Sequence, residues 1–200
     1  MRRRDAVEII LYGVFVCVGF SMLQTYSGIL SPELCEHLIS RFDAAAHDTT
    51  YAMFDQVELG SSGGWEEESA LLTIAVKKAA AHYSDKFDPH HIMPTNRLIE
   101  AFRMKRYEPN TQRFPLHGDA SSIASCSRYL AFLFYLNDSD AGTRFYGARG
   151  TEPFTLEAKR GNLLVFPPMW MFPHEGLMPV TRPKYILSTY FHFAPEPAAF

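Results

Sequence analysis

The run Arg128–Asn137, RYLAFLFYLN, constrains this chain more than any other stretch. A strand with one wet face alternates apolar and polar residues. This one is apolar on both faces and rich in aromatics, which predicts a central, buried strand. RLIEAFRMKRY from Arg97, NLLVFP from Asn162 and KYILSTYFHF from Lys184 are also strand-like. Clusters of Asn, Asp, Gly and Pro separate them.

Before Pro94 the texture is helical. Ser31 suits an N-cap and Pro32 the first helical position, and Leu34, Leu38, Ile39 and Phe42 make an apolar stripe. A second, Ala-rich helix runs from Glu66 to about Phe87, with Leu71, Leu72, Ala75, Ala79 and Tyr83 on one side. Between them Asp48 to Gly64 reads as a loop able to cover a site. Helices first and strands afterwards predict an α+β fold, mainly β, with the N-terminal helices packed against a β-sandwich or jelly roll.

Two hundred residues make one domain with a substantial core. Aromatics reach 14%, which favours strands. Net charge is −3 and no basic run follows Arg4, so no electrostatic footprint for nucleic acid is present and no such partner is expected. Cys17, Cys35 and Cys126 are sparse and odd in number, arguing against a disulfide framework or a structural zinc site. Buried reduced thiols are expected for all three, which leans towards a cytoplasmic setting.

Residues 1–24 form an apolar N-terminal segment. Arg2, Arg3 and Arg4 precede the strongly apolar stretch Ile9–Leu23, as in a signal peptide or type II anchor of the secretory pathway. That stretch is 15 residues long, short of the ~20 a spanning helix needs, and no clear small-x-small cleavage site follows. A buried first strand or packed helix is the alternative. Membrane contact is expected only through residues 9–23. The remaining domain is 25–200, with a jelly-roll core at about 97–193.

His117 and Asp119 stand two apart, and His174 follows 55 residues after Asp119. On a strand, residues i and i+2 point the same way, so the first two can reach one ion. Two imidazoles and a carboxylate hold one face of iron(II), leaving room for a co-substrate and O₂. Among eight histidines a lone His-x-Asp is weak evidence, so the surroundings decide. His90 and His91, in DPHHIMP, have no carboxylate at ligand spacing and read as surface residues.

Those surroundings run from RYEPNTQRFPLHGD through YLNDSDAGTRFYG and KRGNLLVFPP to HEGLMPVTRPKYILSTYF. In order and spacing they resemble the prolyl 4-hydroxylase-like branch of the 2-oxoglutarate- and Fe(II)-dependent oxygenases, over about Leu30 to Phe193. The resemblance implies a double-stranded β-helix with Fe(II) held by His117, Asp119 and His174. It further implies 2-oxoglutarate as co-substrate, O₂, and ascorbate as reductant. Lys184, ten residues after His174, stands where this branch pairs a basic residue with the distal carboxylate of 2-oxoglutarate, with Arg182 the runner-up. A dianion inside an apolar barrel needs such a neutralising charge. Tyr107 and Tyr135 match tyrosines that hydrogen-bond the co-substrate, against core packing as the competing account. Thr143 and Phe145 match the end of the family's Gly-Gly-x-Thr-x-Phe turn, but Asp140 and Ala141 replace the glycines.

The implied reaction couples decarboxylation of 2-oxoglutarate to hydroxylation of an unactivated C–H, on a peptide or protein residue, proline foremost, or on a small molecule. Two other readings compete. Gly161 and Pro167 echo a cupin spacing, although cupins usually begin with His-x-His. A non-catalytic jelly roll that binds carbohydrate or protein would have no use for the spaced His, Asp, His and Lys. His192 shares a strand face with Lys184 and reads as structural. Trp170 is open between a substrate mouth and the core.

Overall fold

The computed structural model describes residues 12–14, 22–46, 48, 52–60, 64–94, 97–147 and 152–194. Cys17 and most of Ile9–Leu23 lie outside the described residues, and the targeting expectation lies there with them. No helix among the described residues is long and apolar enough to cross a membrane.

Two helices and twelve strands are described, in the order β1 (Tyr12–Val14), β2 (Gln24–Ser27), α1 (Pro32–Ala44), β3 (Asp55–Leu59), α2 (Glu66–Phe87), β4 (Arg97–Ile99), β5 (Phe102–Tyr107), β6 (Phe114–His117), β7 (Arg128–Tyr135), β8 (Ser139–Phe145), β9 (Phe154–Ala158), β10 (Leu163–Phe166), β11 (His174–Gly176) and β12 (Lys184–Phe193). The larger sheet runs β1-β2-β10-β7-β12-β5-β3, with β4 also on β12, and the smaller runs β6-β11-β8-β9. The pairs in both sheets are antiparallel. This is the double-stranded β-helix, mainly β, with the two helices on one face.

Alternation along each strand divides the core. Leu130, Phe132, Phe134, Leu163, Val165 and Leu187 join Leu38, Phe42, Leu72 and Val76 of the helices in one cluster. Ala131, Leu164, Phe166, Ile186 and Tyr190 face the other way and meet Phe145 of the smaller sheet. β7 lies between β10 and β12, so both of its edges are paired, and its two faces are covered by the helices and by the smaller sheet, as its sequence demands.

Ser31 Oγ accepts the Leu34 N–H at 3.2 Å and caps α1, whose Cys35, Leu38 and Phe42 are buried. In α2 the buried stripe is Leu72, Ala75, Val76, Ala79, Ala80 and Tyr83. Leu71, expected on it, is 44% exposed. It sits about 100° around the helix from Leu72, outside the stripe.

Two other expectations are corrected. The stretch Asp48–Gly64 is not all loop: Asp55–Leu59 pairs with β5 as an edge strand, and Arg106 holds Asp55 in a 2.7 Å ion pair. Residues 49–51 and 61–63 lie outside the described residues. Cys35 is buried as expected, whereas Cys126 is exposed, in the turn before β7.

Candidate active site

The hairpin-like meeting of β6 and β11 sets His117 directly opposite His174. Both rings project to one side and their centroids lie 4.4 Å apart. β6 ends at His117, so Asp119 stands in the loop just beyond and not on the strand as expected. Arg128 Nη1 fixes that loop by donating to the Asp119 carbonyl at 3.0 Å, and the Ala120 N–H donates to Pro168 O at 3.0 Å. Ligand-type atoms of His117, Asp119 and His174 all come within 4.8 Å of one another.

Each imidazole is held by a carbonyl two residues upstream. His117 Nδ1 donates to Pro115 O at 2.8 Å and His174 Nδ1 to Phe172 O at 3.0 Å. A carbonyl only accepts, so Nδ1 carries the proton and the Nε2 lone pair is free, the tautomer a metal requires. The two Nε2 atoms face Asp119, at 3.2 Å and 3.6 Å. Burial keeps the His174 imidazole below its usual range, against the pull of Asp119. Burial would raise the Asp119 carboxyl, but His117, His174 and Lys105 outweigh it and hold it at about 2. Two imidazoles and a carboxylate are a donor set that fits Fe(II).

Lys184 begins β12 opposite Tyr107 of β5 and is only 1% exposed. Its Nζ donates to Leu177 O at 2.8 Å and lies 4.7 Å from the Tyr107 ring centroid. Among the described residues no carboxylate is within ion-pair distance of it. Burial lowers its pKa to about 7. Gly176 follows His174 by two residues on β11, and a Cβ there would stand 3.6 Å from Lys184 Nζ. The ammonium therefore lies one strand repeat, about 7 Å, along β11 from the second histidine.

Tyr107, Thr143, Lys184 and the three His and Asp side chains line one cavity between the sheets. Burial pushes the Tyr107 phenol up, so it stays a donor. Tyr135 is set back from that cavity: its hydroxyl donates to Thr143 Oγ1 at 2.8 Å, and the threonine faces the space. Arg182 is exposed on the turn before β12. The missing glycines are absorbed locally. Asp140 accepts the Val180 and Thr181 N–H groups at 3.2 and 3.0 Å, while Gly142 stays indispensable, since a Cβ would meet Leu156 O at 1.9 Å.

His90 and His91 are exposed. His192 is structural in its contacts, with Nε2 2.6 Å from Glu100 Oε2 and Nδ1 2.8 Å from Ser127 Oγ. Trp170 is 80% exposed with its backbone against Gly118, so it stands at the edge of the site and not in the core. Two features escaped the sequence reading. Glu100 gathers Arg128, Arg103 and His192 beside the site. Lys105 projects from β5 on the same face as Tyr107, a two-residue spacing that was visible in the sequence.

Two histidines and an aspartate converging inside a double-stranded β-helix define a class, the non-haem iron oxygenases. The model described as the 2OG-Fe(II) oxygenase superfamily matches residues 102–192, the stretch that carries the three site residues and Lys184. The family uses Fe(II), 2-oxoglutarate and O₂.

Solved structures share the fold. A viral collagen prolyl hydroxylase from Paramecium bursaria Chlorella virus-1, in its 2OG complex, superposes with a TM-score of 0.65 at 16% identity, covering 87% of this chain and 97% of that one. A prolyl hydroxylase from Trichoplax adhaerens, in complex with a hypoxia inducible factor peptide fragment, gives 0.67 at 13%, covering 85% and 83%. SnoN, an alpha-ketoglutarate-dependent epimerase of nogalamycin biosynthesis, gives 0.65 at 12%, covering 89% and 82%. Comparison with curated proteins gave no match.

Proposed function

We propose that this protein hydroxylates an unactivated C–H bond of a peptidyl proline, converting 2-oxoglutarate and O₂ to succinate and CO₂ and placing one oxygen atom on the substrate carbon. The observation that carries the reading is a pairing. The His117, Asp119 and His174 donors converge at one point, and a buried ammonium without a carboxylate partner lies beside them. A buried charge is costly unless paired. A five-carbon diacid, chelating the metal at one end and meeting Lys184 at the other, supplies that partner.

His117, Asp119 and His174 are the proposed metal ligands, and bound iron would supply O₂ activation. Nδ1 of each histidine is turned to a carbonyl, which leaves Nε2 facing the site, and the Asp119 carboxyl is held low, so the three donor atoms are presented together to a metal. Tyr107 offers its phenol to the co-substrate. Tyr135 acts through Thr143, fixing the threonine hydroxyl. Ascorbate is the proposed reductant, and residues 25–200 are the proposed catalytic unit, with the jelly-roll core at 97–193. Proline as target draws support from the prolyl hydroxylases that share the fold.

The test is succinate formation by purified protein that depends on both Fe(II) and 2-oxoglutarate, with mass spectrometry of proline-rich peptides. His174→Ala is expected to abolish turnover and weaken metal binding. Protein that binds neither metal nor 2-oxoglutarate overturns the reading and leaves the non-catalytic jelly roll.

A further inference from the structure

We propose that the mouth of the site is built for a substrate carrying a carboxylate beside the carbon to be hydroxylated, and that Lys105 binds that carboxylate. The inference rests on the reaction proposed above and names the substrate class it serves. Lys105 is 7% exposed, yet among the described residues it makes no hydrogen bond and no ion pair. Its ammonium lies 4.7 Å from the Phe54 ring centroid and 5.0 Å from that of Phe114. Ring faces attract a cation but do not replace a hydrogen-bonded counter-ion.

The position is specific. Lys105 borders the inner cavity that holds the His-Asp-His cluster and Lys184, and also an open outer cavity of about 210 Å³ that reaches Gln56, Asp119 and Tyr190. Two other cations line the outer space, but both are committed to Glu100. Arg128 grips it through Nε and Nη2 at 2.8 and 2.6 Å, and Arg103 pairs with the same carboxylate. Lys184 already donates to the Leu177 carbonyl. Among the described residues Lys105 is thus the lining cation with neither an ion pair nor a hydrogen bond, while Arg103 keeps its buried Nε unbonded.

A second unpartnered donor lies next to it. Ser188 Oγ is buried with no hydrogen-bond partner among the described residues, and its side chain lines the same inner cavity. Lys105 pairs across the ladder with Ile186, which puts Ser188 on the adjacent diagonal of the same face. Diagonal neighbours stand about 7–8 Å apart on the sheet, a span that one carboxylate with a donor on each side can bridge. That carboxylate comes either from an acidic residue flanking the target in a peptide or from the free acid end of a small substrate.

The experiment measures calorimetric affinity for proline-centred pentapeptides carrying Asp or Glu at each flanking position, against their Asn and Gln isosteres. A second arm compares L-proline with L-prolinamide. Both are run with and without Mn(II) and 2-oxoglutarate. At least one acidic probe is expected to bind about ten-fold more tightly than its neutral isostere. Lys105→Met should erase that preference, Lys105→Arg should retain it, and 2-oxoglutarate affinity should not move in either. Preference confined to peptides assigns an acidic neighbour, and preference confined to L-proline assigns the substrate's own carboxylate. Equal binding of acidic and neutral probes by the native protein overturns the proposal without recourse to a variant. So does a Lys105→Met protein that loses 2-oxoglutarate in place of the acidic probe. An acid preference that depends on Lys105 without succinate formation would retain this inference and remove the hydroxylase reading.

Discussion

The two faces of β12 are built on opposite principles. Tyr185, Leu187 and Phe191 point towards α1 and α2 and join an apolar cluster. Lys184, Ile186, Ser188 and Tyr190 alternate with them and line the cavity. One face is packed against apolar neighbours and its hydroxyls are bonded, Tyr185 to Asp43 at 2.9 Å and Thr189 to the Glu100 carbonyl at 2.6 Å. The other holds a buried ammonium and a buried hydroxyl that the protein itself does not fully satisfy. Stability comes from the first face, and the second gives some of it up to keep polar groups poised.

Removing bulk from the helix face should do the most damage. Leu187 is fully buried, so Leu187→Ala deletes packed atoms and leaves a cavity, at a cost of about 2–5 kcal/mol. The denaturant midpoint should fall while affinity for Mn(II) and 2-oxoglutarate in the folded protein holds. A loss of ligand binding at full stability would break the division between the faces.

Lys184→Met tests the other face. The affinity for 2-oxoglutarate should fall roughly 10- to 150-fold, the worth of a charge-assisted hydrogen bond of about 1.5–3 kcal/mol. An unchanged affinity would transfer the anchor elsewhere. Without ligand, stability should respond to pH in a set direction. Burial lowers the Lys184 pKa from 10.5 to about 7. Below pH 7 the lysine is charged in both states and the burial penalty is fully present. Between pH 7 and 10.5 the unfolded chain keeps a proton that the folded one has released, so stability rises, by at most about 1.4 kcal/mol per unit. Lys105, lowered to about 8 by burial, acts in the same direction, but it is common to native protein and variant. The stability advantage of Lys184→Met over the native protein should therefore shrink from pH 7 to pH 10.

The helix-facing half was readable because local pattern decides it. Ser31 and Pro32 start α1, and the double-sided apolarity of RYLAFLFYLN puts β7 at the centre of its sheet. The cluster of His117, Asp119 and His174 was readable by spacing and family likeness, yet not the fact that Asp119 sits past the strand end. Lys105 was missed for a physical reason. A lysine in a strand ordinarily reads as solvated, whereas here Phe54 and Phe114, distant from it in sequence, stand over its ammonium. Cys126 was misread in the opposite sense, since a free cysteine is usually buried and this one lies in an exposed turn.

The smallest effect is also the sharpest test of how the two faces differ. Ser188 and Leu187 are neighbours on one strand, and both are buried. On the helix face, truncation removes favourable contacts. On the cavity face, Ser188→Ala removes a hydroxyl that has no partner, and with it the cost of keeping that group from water. The variant should be as stable as the native protein, or more stable by up to about 1 kcal/mol, with its denaturant midpoint unchanged or raised. If the cavity-facing hydroxyl is kept for a substrate carboxylate, that gain should be accompanied by weaker binding of the acidic probe and no change for the neutral one. A midpoint that falls as it does for Leu187→Ala would mean that Ser188 is packing in the ordinary sense, and that the cavity face of β12 is no less committed to stability than its partner.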